Sequence, residues 1–132
     1  LRITSVESFR QATDDATLNL ADLAKAKAVC APVERFLNER VGNLDKGGKV
    51  ASPRNATIVL DPPRAGAGAK VVGQLLAIAP AHIVYVACDP VALARDLKPL
   101  LAGGYELKAL RAFDLFPHTH HVEAVASLVR KA

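Results

Sequence analysis

Two apolar, partly β-branched runs, each stopped by an aspartate and a proline, constrain the fold of this chain most strongly. The first spans residues 56–60 and stops at Asp61-Pro62, and the second spans residues 82–88 and stops at Asp89-Pro90. Continuous apolar runs of this length predict strands that are buried on both faces. A helical pattern follows each run, and alternating strands and helices indicate an α/β fold with a mostly parallel sheet.

The same patterns divide the chain into three parts. Residues 1–41 predict a first group of strands and helices, residues 42–55 have the Gly, Lys and Asn content of a flexible loop, and residues 56–132 carry the segments with chemical character. The last two predicted strands must pair antiparallel, because the turn between them is too short for a crossover helix. Helices are predicted at 12–27, 32–41, 69–78 and 91–101, and the other strands at 2–7, 28–33, 105–113 and 121–129.

Length and composition exclude several classes of protein. A chain of 132 residues with 51% hydrophobic content can form one domain with a core, but not two. The net charge of +4 would suit a polyanionic partner without identifying one. No uncharged apolar run reaches about 18 residues, which disfavours a membrane span. Two widely separated cysteines favour a reduced, cytoplasmic protein.

Cys88 and Glu123 are the best candidates for reactive groups. Cys88 ends a predicted strand directly before a helix, where the helix dipole and free backbone donors can stabilise a thiolate. The alternative is that Cys88 is a small buried hydrophobe, which is our interpretation of Cys30. Glu123 precedes an apolar run, so it can enter the sheet as a desolvated general base. The alternative there is an exposed carboxylate on an edge strand.

Two other segments have mixed interpretations. The run from Asp61 to Gly66 is a rigid turn at a strand end that can hold a flat ligand, although such turns also serve simply to leave a strand. Three histidines, His118, His120 and His121, invite a metal-site interpretation. We favour solvated turn histidines and no metal, because no separated fourth ligand has a recognisable spacing.

Three blocks of this sequence resemble motifs of the RNA 5-methyluridine (uracil-5-)methyltransferase family. They are residues 60–66, residues 84–90 with 93–97, and residues 114–119 with 121–123. The resemblance implies a class I, Rossmann-like methyltransferase sheet with strand order 3-2-1-4-5-7-6 and an antiparallel last strand. Strand one and its glycine-rich loop would precede Leu1, so we expect a catalytic domain that is incomplete at its N-terminus.

The resemblance also implies roles for individual residues. Cys88 would add to C6 of uracil, Glu123 would remove the C5 proton, and Asp61 would hold the reacting groups in place. The implied cofactor is S-adenosyl-L-methionine. Cofactor contacts are expected from Glu7 and Asp61, and substrate contacts from Arg64, Pro62, Pro90 and His118. Ala87 and Asp89 depart from the Ser and Asn that the family more often has, and the charge of Asp89 beside Cys88 would slow attack.

The expected partner is transfer or ribosomal RNA, with no membrane. Without strand one, exposed sheet edges would allow oligomerisation through pairing with another chain. An alternative function remains open, namely a non-catalytic RNA-binding or assembly module that keeps the methyltransferase-like fold. A cofactor titration of this chain separates the two functions, because absence of binding leaves the module interpretation open.

Overall fold

The computed structural model describes residues 1–45, 55–119 and 121–131, with only the backbone described at 44 and 45. Strands and helices alternate along these residues, as the sequence predicts. The elements are β1 (Ile3–Glu7), α1 (Arg10–Asn19), β2 (Ala26–Cys30), α2 (Val33–Asp45), β3 (Thr57–Leu60), α3 (Gly68–Ile78), β4 (His82–Ala87), α4 (Pro90–Ala102), β5 (Tyr105–Phe113) and β6 (Glu123–Arg130).

The strands form two sheets whose combined order matches the expected one. β1 and β2 pair in parallel, and the second sheet has the order β3-β4-β6-β5. β3 and β4 are parallel, whereas β6 is antiparallel to both of its neighbours. In the numbering of the expected order, β1 and β2 are strands two and three, and β3 to β6 are strands four to seven. Placed side by side, the two sheets then give the order 3-2 followed by 4-5-7-6, with the position of strand one left open. The predicted α/β class and the antiparallel last strand are therefore confirmed.

An open cleft of about 1010 Å³ lies between β1 and β3, where the expected order places strand one. Residues 1–8 line one side and residues 56–63 the other, with Phe36 and Leu37 of α2 between them. Among the described residues, β1 pairs only with β2 and β3 only with β4. The backbone edges that border the cleft are therefore unpaired in this part of the chain.

The two N-terminal helices end at different residues from those predicted. α1 ends at Asn19 instead of residue 27, because residues 26–30 are needed as an extended strand opposite β1, with Ala26 beside Ile3. α2 continues to Asp45, so residues 42–45 of the predicted loop are helical. Once Leu37 anchors α2 in the core, each further residue adds a backbone hydrogen bond, and Gly42 costs only about 1 kcal/mol. Residues 46–54 of that predicted loop lie outside the described residues.

The core lies on one face of the second sheet. Ile83 and Tyr85 of β4 and Leu128 of β6 are fully buried there against Leu75 of α3 and Leu100 of α4. The prediction that the two apolar runs are buried on both faces is wrong. Val59 is 65% exposed and alternate residues of β4 are only half-buried, because α3 and α4 cover the face that carries Ile83 and Tyr85.

None of the helices in the described ranges has both the length and the apolar character that crossing a membrane requires.

Candidate active site

The pairing of β4 with β6 brings Cys88 and Glu123 to neighbouring positions. Ala87, the last residue of β4, lies opposite Ala124. Cys88 follows Ala87 directly and Glu123 precedes Ala124, so one further step of the same register places them side by side. Both are half-buried. Two candidate reactive groups that are 35 positions apart in the chain are thus brought to neighbouring backbone positions at one end of the sheet.

The loop after β3 approaches the same end of the sheet. β3 runs parallel to β4, with Leu60 opposite Tyr85, so Asp61 leaves its strand beside the last residues of β4. A narrow crevice lies between this loop and the start of α4. Its lining includes Pro62, Pro63, Arg64, Gly66, Tyr85, Ala87, Cys88, Asp89, Ala92 and Leu93. Pro62 and Arg64, both predicted to contact substrate, therefore share a surface with Cys88.

The segment that contains Phe116 and His121 approaches this surface through a contact between His121 and Arg64. Nη2 of Arg64 lies 3.4 Å from Nε2 of His121, and the ring of Phe116 meets the ring of His121 edge-on at a centroid distance of 6.4 Å. His118 is exposed in the preceding turn, where its backbone has a positive φ of 66°. Among the described residues, the crevice lining includes neither His118 nor Pro90.

Pro90 and Asp89 have a structural explanation as the start of α4. Pro90 is the first residue of the helix, where its missing N–H costs nothing. Asp89 is the N-cap, and its Oδ1 accepts a hydrogen bond of 2.7 Å from the backbone N–H of Ala92. The carboxylate that the sequence places beside Cys88 is thus directed at the helix N-terminus, which stabilises negative charge. No described group of three or more His, Cys, Asp or Glu side chains could hold a metal ion.

Glu7 occupies the carboxyl end of β1, across the open cleft from Asp61. Its Oε1 accepts hydrogen bonds from the backbone N–H of Phe9 (2.8 Å) and the hydroxyl of Ser8 (3.2 Å). The bond from Phe9 is the main reason that the pKa of Glu7 lies below its usual value. No described residue donates to Oε2, and both Glu7 and Asp61 line the cleft. The cleft therefore has an ionised carboxylate at one side that can accept bonds from hydroxyl groups.

Comparison with known proteins decides the family. Residues 34–131 match the family model described as tRNA (uracil-5-)-methyltransferase. The chain belongs to the tRNA (uracil-5-)-methyltransferase family. The match includes all three sequence blocks that carried the resemblance, and it begins in α2, after Glu7.

Curated relatives and solved structures agree with this assignment. An uncharacterized RNA methyltransferase of Streptomyces avermitilis is 48% identical over 126 residues, and one of Bifidobacterium longum is 46% identical over 131. These alignments cover 96% and 98% of this chain but 27% and 28% of the relatives, so the chain spans about a quarter of their length.

Among solved structures, the tRNA (uracil-54, C5)-methyltransferase of Pyrococcus abyssi, in complex with S-adenosyl-L-homocysteine, matches with a TM-score of 0.73 and 32% identity. The match covers 98% of this chain and 29% of that one. Fibrillarin of Aeropyrum pernix, in complex with S-adenosyl-L-methionine, matches with a TM-score of 0.64 but 18% identity. That second likeness shows the fold alone, which is the class I methyltransferase fold.

The structure of this methyltransferase-family chain also reveals a polar cluster around a buried carboxylate, and sequence reasoning did not assign this cluster to the site. We call Tyr85, Arg95 and Asp96 the Asp96 cluster. The Tyr85 hydroxyl donates to Asp96 Oδ2 (2.7 Å), and Arg95 donates to Asp96 Oδ1 through Nε (3.1 Å) and Nη2 (2.9 Å). Asp96 is 2% exposed and Tyr85 is fully buried.

The Asp96 cluster is also bonded to the loop after β3. Asp96 Oδ2 accepts from the backbone N–H groups of Ala67 (2.7 Å) and Gly68 (3.2 Å), and the Tyr85 hydroxyl accepts from Ala67 (2.9 Å). Nη2 of Arg95 donates to the backbone oxygen of Ala65 (2.6 Å). The loop that carries Pro62, Pro63 and Arg64 is therefore bonded at its far end to β4 and α4.

These contacts fix the ionisation of the cluster. Burial raises the pKa of Tyr85 to about 12, and its hydrogen bond to Asp96 acts in the same direction. Burial alone would also raise the pKa of Asp96, but the hydrogen bonds from Tyr85, Arg95, Gly68 and Ala67 outweigh it and hold that pKa below its usual value. Tyr85 thus stays protonated and Asp96 stays ionised.

One signal in the sequence could have identified Asp96. The buried face of α4 carries Ala92, Leu93, Leu97 and Leu100, at helical spacing, and Asp96 falls on the same face. A carboxylate on an apolar helix face is rarely left without partners. The pattern could indicate a bonded acid, but not which backbone groups it accepts from.

Proposed function

We propose that this chain forms the catalytic region of an S-adenosyl-L-methionine-dependent RNA methyltransferase that modifies C5 of uridine through a covalent bond to Cys88. Two observations carry this proposal: the neighbouring backbone positions of Cys88 and Glu123, and the crevice that Cys88 lines together with Pro62, Pro63 and Arg64. Opposed residues of antiparallel strands lie about 4.5–5.5 Å apart between Cα atoms. At such a spacing, a sulfur and a carboxylate can reach two adjacent carbons of one pyrimidine ring.

The residues around the open cleft fit the proposed cofactor. Glu7 would accept hydrogen bonds from the ribose hydroxyls through Oε2, since Oε1 is already bonded to Ser8 and Phe9. Asp61 lines the cleft from the opposite side, at the end of β3. When bound, S-adenosyl-L-methionine supplies an electrophilic methyl group. The solved relative of Pyrococcus abyssi, which contains S-adenosyl-L-homocysteine, supports this choice of cofactor.

The side chains of this chain account for the remaining steps. The Cys88 thiolate forms a bond to C6 of uracil, and the displaced π electrons make C5 nucleophilic. After C5 has been methylated, the Glu123 carboxylate removes the C5 proton. The electrons of the C5–H bond then re-form the C5–C6 double bond, and the thiolate leaves. Arg64 and the two prolines would hold the base, which must leave any stack to reach the sulfur.

A trapping experiment tests the proposed nucleophile. RNA that contains 5-fluorouridine, incubated with cofactor and the complete natural protein that contains these residues, should form a stable adduct because C5 then carries no removable proton. Cys88→Ala should abolish the adduct. Cys30→Ala is the matched control, because Cys30 is exposed at the end of β2, and it should form the adduct normally. An adduct that persists in Cys88→Ala would exclude the proposed role of Cys88.

Glu123→Gln tests the proposed general base, and the substrate is RNA that contains ordinary uridine. Because the amide cannot remove the C5 proton, the covalent complex with ordinary uridine RNA should accumulate while methylated product decreases by at least about 100-fold. If Glu123→Gln gave neither methylated product nor covalent complex, Glu123 would be required before the proton is removed, which would contradict its assignment as the base.

A further inference from the structure

We propose that Asp96, together with Tyr85 and Arg95, acts as a positioning group that fixes the loop of residues 61–66 relative to Cys88. This inference rests on the proposed function, because it assigns the loop to substrate and Cys88 to attack. Asp96 would touch neither substrate nor cofactor. It would set the distance between the residues that hold the base and the sulfur that attacks it.

The first argument is that Asp96 supplies a helix cap that the loop itself lacks. α3 begins at Gly68, and its own N-cap, Ala67, has no side chain that accepts a hydrogen bond. The Asp96 carboxylate accepts from the N–H groups of Ala67 and Gly68 instead. A carboxylate at a helix N-terminus is stabilised by both the free donors and the helix dipole. The end of the loop is therefore bonded to α4 and not only to its own helix.

The second argument is that the two side chains that hold the loop, Tyr85 and Asp96, lie on either side of Cys88 in the chain. We call these two residues the anchors. Tyr85 is three residues before Cys88 on β4, and Asp96 is eight residues after it on α4. The Tyr85 hydroxyl joins the two anchors, because it donates to Asp96 and accepts from Ala67. Movement of the loop away from Cys88 would break bonds to both anchors.

The third argument is steric. Gly66 has a positive φ of 79°, and a Cβ there would lie 2.5 Å from Arg95 Nη2 and 2.6 Å from Asp96 Oδ2. The backbone of the loop thus lies directly against the cluster, with no space for even a methyl group. Arg95 adds a second attachment through its 2.6 Å bond to the oxygen of Ala65.

A pair of tyrosine variants separates positioning from general stability. Tyr85→Phe removes the hydroxyl that joins the anchors. Tyr105→Phe is the matched control, because Tyr105 is equally buried and its hydroxyl donates a 2.7 Å bond to the backbone oxygen of Pro80. Tyr105 lies opposite Arg130, at the end of the sheet away from Cys88. Tyr85→Phe loses two hydrogen bonds, to Asp96 and from Ala67, whereas Tyr105→Phe loses one, so a larger loss of stability is expected in Tyr85→Phe and the two variants are compared under conditions where both are fully folded.

The measurement is the rate of covalent adduct formation with 5-fluorouridine RNA by the complete natural protein, at saturating RNA and cofactor. Tyr85→Phe should slow this rate by at least about tenfold, because small displacements of reacting groups have large effects on rate. Its Kd for RNA should change by less than about threefold, whereas Tyr105→Phe should form the adduct within about twofold of the wild-type rate. Equal rates in the two variants would overturn the proposal.

Two further measurements cover the remaining outcomes. If Tyr85→Phe does not fold, Arg95→Ala replaces it, because the Arg95 side chain is 56% exposed, and a wild-type adduct rate in that variant would overturn the proposal. If the wild type forms no adduct, the proposed function fails. Hydrogen exchange then still tests the positioning, because Tyr85→Phe should selectively speed exchange at the amides of Ala67 and Gly68. Unchanged exchange at these amides would overturn it.

Discussion

Replacing Gly66 with alanine measures how closely the loop is held against the Asp96 cluster. Gly66 has a left-handed backbone conformation, with φ at 79°, which costs an L-residue about 1–2 kcal/mol. The added Cβ would also overlap Arg95 Nη2 and Asp96 Oδ2. Arg95 can rotate away, but it then loses its bonds to Ala65 and Asp96, and a hydrogen bond to a charged group is worth about 1.5–3 kcal/mol.

These contributions together predict that Gly66→Ala lowers the free energy of unfolding by about 2.5–5 kcal/mol. Gly68→Ala is the matched control. Gly68 has nearly the same backbone conformation, with φ at 81°, but a Cβ there has no neighbour within 4 Å. That variant should lose only the backbone cost, about 1–2 kcal/mol. The difference between the two variants therefore isolates the steric contact with the cluster.

Urea denaturation followed by circular dichroism measures both variants against the wild type. A loss in Gly66→Ala that exceeds the loss in Gly68→Ala by about 1.5–3 kcal/mol would agree with the steric contact at Gly66. Equal losses in the two variants would refute the reasoning, because they would show that the loop can move off Asp96 and Arg95 at no cost. In that case the close approach of Gly66 to the Asp96 cluster could not hold the loop in position relative to Cys88.

Two other predictions concern the cap of α4 and the buried tyrosines. Asp89→Ala should lower the free energy of unfolding by about 1 kcal/mol in urea denaturation, whereas Asp89→Asn, which can still accept from Ala92, should change it by less than half as much. Burial raises the pKa of both tyrosines of the chain, that of Tyr85 to about 12, so ultraviolet titration of the folded chain should show phenolate forming at higher pH than in the unfolded chain, with one tyrosine ionising near pH 12. Because the unfolded chain releases these protons at about pH 10, this contribution to stability is present below that pH and is lost as the pH rises toward 12. A folded chain in which both tyrosines ionise near pH 10 would contradict this burial.

The sequence predicted those parts of the site that depend on a single strand end. Asp61 and Cys88 could be placed because an apolar run followed by an acid and a proline marks where a buried strand stops. The end of α1 could not be predicted, because the Ala, Leu and Lys pattern continues past Asn19 while the extended conformation of residues 26–30 depends on pairing with β1. Local propensity contains no information about that pairing.

Other parts of the site depend on contacts between elements. The position of Glu123 beside Cys88 follows from the register of β6 against β4, which no segment specifies alone. The exposure of Val59 depends on which face the helices cover. The bonds of Asp96 to the backbone of Ala67 and Gly68 span 29 and 28 positions in the chain. The sequence indicated in advance only that Tyr85 and Asp96 lie in a block that resembles a family motif and that a carboxylate falls on the apolar face of α4.

The ionisation of the Asp96 cluster has a consequence for the chemistry beside it. Hydrogen bonds hold the pKa of Asp96 below its usual value, and burial raises that of Tyr85 to about 12. Neither group changes charge between about pH 5 and pH 9, so the bonds that hold the loop stay the same throughout that range. If the loop geometry is constant, a change in the rate of adduct formation with pH in this range cannot arise from release of the loop. Such a pH–rate profile would instead report groups outside the Asp96 cluster.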